Sequence, residues 1–231
     1  CFGACNGEIA WTAVGGTGTI TSELFYIATP DSSLGGTNPT TGICPGDYFV
    51  MHTDDNGCTQ PGDTVTITEP TEIVATLTPA NPLCSGESTG EITLATVGGS
   101  GGGYTWQWFN DNPTNIGQDN INPAVNLPAD CYYAMVTDAL VPTCTVSSDT
   151  VCLTDPPPIT NAVATVDEQC FSACDGSATA SPAGGSGTLT VSWEFQSGGS
   201  AGPDGNSITG LCADDYFAIV ADTNGCADTT A

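Results

Sequence analysis

Twelve cysteines and 26 carboxylates, with one histidine and not a single lysine or arginine, are the residues of this chain that could do chemistry. Thiols at this density bind metal, act as nucleophiles or oxidise in pairs. Zinc sites draw on closely spaced cysteines and on histidine. Here no C-x-x-C occurs and His52 stands alone, so a metal-ligand role for the thiols and for His52 is disfavoured. The reading is disulfides, and with them an oxidising, extracellular location. A nucleophilic Ser or Cys needs a positioned base, and no Ser-His-Asp or Cys-His arrangement is suggested. The carboxylates sit mostly at turns, with no basic group to tune them. The chain is expected not to be an enzyme.

The carboxylates impose a second constraint. No Lys or Arg ion pair can form within the chain, so backbone N–H groups, hydroxyls, water or bound cations must satisfy them. A formal charge of −26 excludes nucleic acid and anionic membranes as partners by sign. Lysine-dependent isopeptide cross-links are chemically impossible, and trypsin has no site. Asp54, Asp55 and Asn56, or Asp214 and Asp215, offer hard oxygens to calcium. Asp-Asn-Gly is equally a turn signal, and the EF-hand spacing is absent. No apolar run is long enough to span a membrane. There is no signal peptide, and a chain opening on a patterned cysteine reads as a mature or partial product.

The elements that position these residues are written three times. Ile43 to Cys58 reads I-C-P-G-D-Y-F-V-M-H-T-D-D-N-G-C, Leu211 to Cys226 reads L-C-A-D-D-Y-F-A-I-V-A-D-T-N-G-C, and Leu127 to Cys144 is a looser copy. The opening cysteines Cys1, Cys84 and Cys170 recur at intervals of 83 and 86 residues. The spacing predicts three small β domains, residues 1–70, 71–156 and 157–231, with four cysteines each. Domains this small bury little apolar surface and are commonly stapled.

Within each repeat the alternation predicts strands. Ile9 and Trp11, or Ile92 and Leu94, point inward on the first, and a glycine pair (Gly15-Gly16, Gly98-Gly99, Gly184-Gly185) ends it. Tyr104, Trp106 and Trp108, or Leu189, Val191 and Trp193, form the next. Long loops follow at 29–41, 110–123 and 196–207, where a recognition surface is expected. The thrice-written strand turns Tyr48, Val50 and His52 to one face. Its other face is apolar in every copy: Phe49 and Met51, Tyr133 and Met135, Phe217 and Ile219. Such a face is expected to lie under a loop or against a neighbouring domain or subunit. Val65, Ile67, Val151 and Leu153 are inward on the closing strand. Strands at Ile73–Leu77 and Ala162–Val166 open repeats two and three. Repeat one lacks this first strand and repeat three its closing strand. Neighbours are expected to complete both, by strand donation in a filament or as parts of a longer polypeptide.

Parity also pairs the cysteines. Cys131 and Cys152 flank one hairpin with outward parity and face each other, leaving Cys84 for Cys144. By analogy Cys1 pairs with Cys58 and Cys170 with Cys226, leaving Cys5–Cys44 and Cys174–Cys212. Closing a loop as long as Cys1–Cys58 contributes about 4 kcal/mol in the chain-entropy account.

The opening C-F-x-x-C-x-G, the G-G-x-G before an aromatic strand, D-Y-F, D-x-N-G-C and V-T-I-T-E-P together resemble the SprB repeat. That repeat is found in very large cell-surface adhesins of Bacteroidota exported by type IX secretion. The resemblance recurs three times over nearly the whole chain. It implies an all-β chain of three tandem Ig-like β-sandwich domains, displayed for adhesion or gliding. The lack of Lys and Arg and the extra cysteine pair per repeat depart from the pattern and point to a stabilised fibre. The same phylum's O-glycosylation sequon, Asp-Ser/Thr-aliphatic or Thr, falls on Thr64, Thr150 and Thr229. The expected function is a structural subunit or segment of an extracellular filament whose main partner is itself. The alternative is an adhesin binding glycans or surfaces through its loops.

Overall fold

The computed structural model describes residues 1–230; Ala231, on which the third expected domain ends, lies outside the described residues. All regular structure among the described residues is β, as alternating segments punctuated by Gly and Pro dictate. Repeat one supplies β1 (Gly7–Ile9), β2 (Thr21–Tyr26), β3 (Ser33–Gly35), β4 (Thr40–Ile43), β5 (Gly46–Thr53), β6 (Thr59–Pro61) and β7 (Val65–Ile67). Repeat two supplies β8 (Thr71–Ala80), β9 (Gly90–Gly99), β10 (Tyr104–Asn110), β11 (Ala124–Leu127), β12 (Cys131–Asp138), β13 (Thr145–Ser147) and β14 (Val151–Cys152). Repeat three supplies β15 (Thr160–Val166), β16 (Gly176–Ala183), β17 (Thr190–Phe195), β18 (Ser207–Leu211), β19 (Tyr216–Ala221) and β20 (Ala227–Thr230).

Each set makes two sheets, the arrangement of an Ig-like sandwich. In repeat three they run β15-β16-β18 and β17-β19-β20; in repeat two, β11-β9-β8 and β10-β12-β13 with β14 also on β12. Repeat one has β3-β2-β5-β6 with β7 also on β5, opposite a sheet of only two strands, β1-β4. The thrice-written stretch is the central strand each time: β5, β12 and β19.

The chain divides into two compact units: Cys1–Val74 with Thr96–Thr105 and Val136–Val146, and Ala75–Ala95 with Trp106–Met135 and Ser147–Ala231. Every boundary between them falls inside a strand of the second set: β8, β9, β10, β12 or β13.

Cores form where the parity places them. In repeat one, Ile9, Leu24, Ile43, Tyr48 and Val50 cluster, with Trp11 and Ile67 packed against them. In repeat three, Ala178, Ala180, Val191, Trp193, Ile208, Ala218 and Val220 do so. Ile92, Leu94, Trp108, Tyr132, Ala134, Val136 and Leu153 are buried in repeat two. Val65, expected inward, is exposed. His52 is half-buried, with Nδ1 2.7 Å from the Ser22 hydroxyl.

The long loops are less free than expected. The Asn38 side chain pairs with both the N–H and the C=O of Trp11. Asn122 does the same to Leu94, at 2.9 and 2.8 Å. A side-chain amide has one acceptor and two donors, so it imitates a strand edge and pins its loop to β9 or to the residues after β1.

Candidate functional site

Five disulfides organise the surface. Cys131 joins Cys152, the pair expected from parity, and Cys5 joins Cys44 and Cys174 joins Cys212, the pairs expected by analogy. Cys131 and Cys152 stand directly opposite each other in the β12–β14 register. The other three expected pairs do not form. Cys1 is bonded to Cys144 and Cys84 to Cys226, with Cα–Cα distances of 5.2 and 5.5 Å. Cys58 and Cys170 are free and exposed. The pairs Cys1–Cys58, Cys84–Cys144 and Cys170–Cys226 are therefore corrected.

Strand length is the physical reason. Cys44 leads into β5, whose 8 residues at about 3.4 Å each cover about 27 Å. Cys58 lies past its far end. Cys5 is held at Cys44, and Cys1, four residues away, reaches at most about 14 Å from it. Both bonds cannot form in one sandwich. The opening cysteine lies instead at the right end to meet the turn of the following repeat.

Each turn that carries such a cysteine is held by one aspartate. Asp54, Asp138 and Asp222 recur at intervals of 84 residues. Asp54 accepts the N–H groups of Asn56 and Cys58 on one oxygen and that of Thr17 on the other. Asp222 repeats this with Asn224, Cys226 and Ser186. Asp138 takes Leu140, Val141 and the Ser100 hydroxyl on Oδ1 and the Ser100 N–H on Oδ2. The carboxylate thus ties the cysteine turn to the glycine loop. Backbone donors replace the missing basic side chains.

These bonds favour the charged form. The Ser100 hydroxyl, then its N–H, hold the Asp138 carboxyl down to about 2, against the opposing effect of burial. Backbone N–H bonds, Cys58 first for Asp54 and Ser186 first for Asp222, lower those two as well. A folded pKa below the unfolded value of about 3.9 contributes stability that is complete above about pH 4 and lost as pH falls toward the folded value. Thermal melts from pH 5 to 2 should therefore fall steeply between about 4 and 2. Asp138→Asn should melt lower at pH 7 and show a flatter profile in that window; an unchanged profile would show the clasp to be inert.

Asp54 and Asp55, expected as calcium ligands, have backbone N–H groups on their oxygens, Thr19 in the case of Asp55. Asp214 accepts the N–H of Asp215. Among the described residues no group of three or more His, Cys, Asp or Glu is placed to hold a metal. Thr64, Thr150 and Thr229 are all exposed. On the outer face of the central strands, Phe49 stacks on Phe25 and Tyr133 on Phe109. Met51, Phe217 and Ile219 are half-buried and Met135 is exposed. No helix is long and apolar enough to cross a membrane.

Sequence reading missed the aspartate clasps and the Asn38 and Asn122 pins. The signal was present in the 84-residue interval shared by both sets.

The fold and its staples define a disulfide-bonded array of Ig-like β-sandwiches. Residues 76–113 match the model of the SprB repeat, so the chain carries an SprB repeat there. No curated protein matches the sequence. Among solved structures, the chain is similar to the N-terminal eight Ig domains of Down syndrome cell adhesion molecule isoform 1.30.30, with 13% identity and a TM-score of 0.39. That alignment covers 99% of this chain and 33% of the other, so this chain spans about a third of that length. It is also similar to Drosophila OTK extracellular domains 3–5 (11% identity, TM-score 0.32, 91% and 83% covered). The mouse nectin-like molecule 4 ectodomain aligns at 12% identity and a TM-score of 0.33, covering 92% of each chain. Likeness at this level transfers no ligand or partner. The SprB repeat and the disulfides point to an extracellular or cell-surface repeat protein.

Proposed function

We propose that the chain is a structural segment of an extracellular surface fibre, in which a neighbour supplies a β-strand to the open edge of repeat one. The observation that carries this reading is the two-stranded sheet β1-β4, where β8-β9-β11 and β15-β16-β18 have three strands. An open edge is a template for pairing. Val14 beside it is 95% exposed, against 63% for its counterpart Val97.

Glycine chemistry supports the same edge. A Cβ on Gly98 would collide with the Glu72 carbonyl, and one on Gly184 with that of Pro158, each in the segment leading along its repeat's first strand. Gly15 keeps the same left-handed φ of +92° with open space around it. A groove of about 400 Å³ runs past Ala13, Val14, Gly16, Ile20 and His52 to Cys58. The exposed Thr64, Thr150 and Thr229 suit O-glycans, and the outer faces around Met51, Met135 and Ile219 suit subunit contact. The pinned loops favour the fibre over glycan recognition.

A synthetic peptide with the sequence of Thr71–Ala80 tests the edge. It should bind the oxidised chain and slow amide exchange over residues 7–14 at least tenfold. No binding, or protection elsewhere, would overturn strand addition. Native surface material should image as regular filaments; isolated flexible stalks would remove the fibre reading.

A further inference from the structure

The two inter-repeat disulfides close overlapping loops. Cys1–Cys144 encloses residues 1–144 and Cys84–Cys226 encloses residues 84–226, so the stretch from Cys84 to Cys144 belongs to both. The overlap places every peptide bond between Cys1 and Cys226 inside a closed covalent ring. That includes the stretches leading from one repeat into the next. Bonds within the repeats, such as Cys1–Cys58 and Cys84–Cys144, would leave residues 58–84 as a single thread.

Stability does not account for the crossing. Closure entropy grows only with the logarithm of loop length, so bonds within the repeats would stabilise nearly as much. The structure instead aims each opening loop at the next repeat. The Glu69 carboxylate takes the Gly3 N–H at 2.6 Å, and that of Asp155 takes the Gly86 N–H at 3.0 Å. Each carboxylate lies just past its repeat's closing strand, β7 or β14, and a proline follows it. The opening cysteine is thereby held where the chain leaves the repeat. On the receiving side Asp222 clasps the Cys226 turn, and the Asn224 amide donates to the Leu83 carbonyl at 3.4 Å.

Four of the bonds make two threads from Cys1 to Cys226 that share no peptide bond. One crosses to Cys144, runs 30 residues to Cys174, crosses to Cys212 and runs 14 residues to Cys226. The other runs four residues to Cys5, crosses to Cys44, runs 40 residues to Cys84 and crosses to Cys226. Each therefore holds 44 residues, which extend to about 160 Å with the bonds included, against about 790 Å for the reduced chain.

We propose that the array is a tension-carrying tether whose paired covalent threads keep it continuous after any single backbone break. A protease nick opens at most one thread and leaves the other to carry the pull. Both threads lie between Cys1 and Cys226 and hold whatever precedes or follows them. The fibre reading supplies the setting in which tension acts; the continuity is a property of one chain.

The lack of Lys and Arg lets one substitution create a single trypsin site. Asp63→Lys places it between β6 and β7, and Asp167→Lys between β15 and Cys170, both at exposed residues. With free thiols alkylated and no reductant, each nicked chain should run as one species, and reductant should part it in two. Held by handles at its two ends in a force spectrometer, it should bear the same pull as the uncut chain, to the same contour length. Removing one inter-repeat bond should expose one border only. With Cys1→Ala and Cys144→Ala the nick at 63 should release two pieces while the nick at 167 still holds; with Cys84→Ala and Cys226→Ala the outcomes should exchange. These readings are of covalent connection, so they stand even where a variant unfolds. Separation of either nicked, otherwise unaltered chain without reductant, or its rupture at a force the uncut chain survives, would overturn the proposal. Native material imaging as isolated stalks would remove the fibre and leave the continuity standing.

Discussion

Replacing Cys84 and Cys226 together with alanine should lower the unfolding free energy of repeats two and three by about 5 kcal/mol. The figure is the chain-entropy value for a closed loop with a separation of 142 residues. It is comparable to the whole net stability of a small domain. Urea melts followed by fluorescence read it, because Trp193 is the sole tryptophan of repeat three while Trp106 and Trp108 report repeat two. The bond makes the two repeats unfold as one body, so the double variant should also split one transition into two. Cys170→Ala should move the midpoint by no more than about 0.5 kcal/mol, as an exposed substitution without partners does. A within-repeat Cys170–Cys226 bond would make Cys170→Ala as costly as Cys226→Ala, so equal losses would overturn the pairing.

That prediction sits where sequence reasoning stops. The central strands and the inward parity of Ile92, Leu94, Trp108 and Trp193 were legible because alternation is local. Cys131–Cys152 was legible for the same reason, both residues lying on one hairpin. Cys1–Cys144 was not. Every repeat contains one opening and one turn cysteine, so counting pairs them internally. Only the length of β5 shows that they lie at opposite ends of a sandwich. Asp54 could be read as a turn residue or a calcium ligand from its neighbours alone. Its role depends on Thr17, 37 residues away, which comes within 3.0 Å only when β2 and β5 pair. The demand for such donors was legible, since a chain without Lys or Arg must satisfy buried carboxylates with backbone N–H. Which N–H groups answer is a matter of tertiary structure.

The other large effect belongs to the core of repeat three, where Trp193→Ala should cost about 3–5 kcal/mol. Trp193 is 2% exposed, and its Nε1–H donates to the Gly205 carbonyl at 2.9 Å. Truncation removes the ring's contacts and leaves that half-buried carbonyl without its donor, which adds to the loss. Collapse cannot fill the space, because the residues across the sandwich are Ala178 and Ala180. At one pair of positions repeat one has the volumes exchanged: Ile9 stands where repeat three has Ala178, and Leu24 stands for the tryptophan. Volume-conserving exchanges of this kind are the ones a core tolerates best. Trp193→Leu should therefore cost less than Trp193→Ala, and Ala178→Ile alone should destabilise by overpacking. Together Ala178→Ile and Trp193→Leu should lose less than the sum of the single changes, by a coupling of at least about 1 kcal/mol. Additive losses in urea melts would mean that the two side chains do not share one packed space.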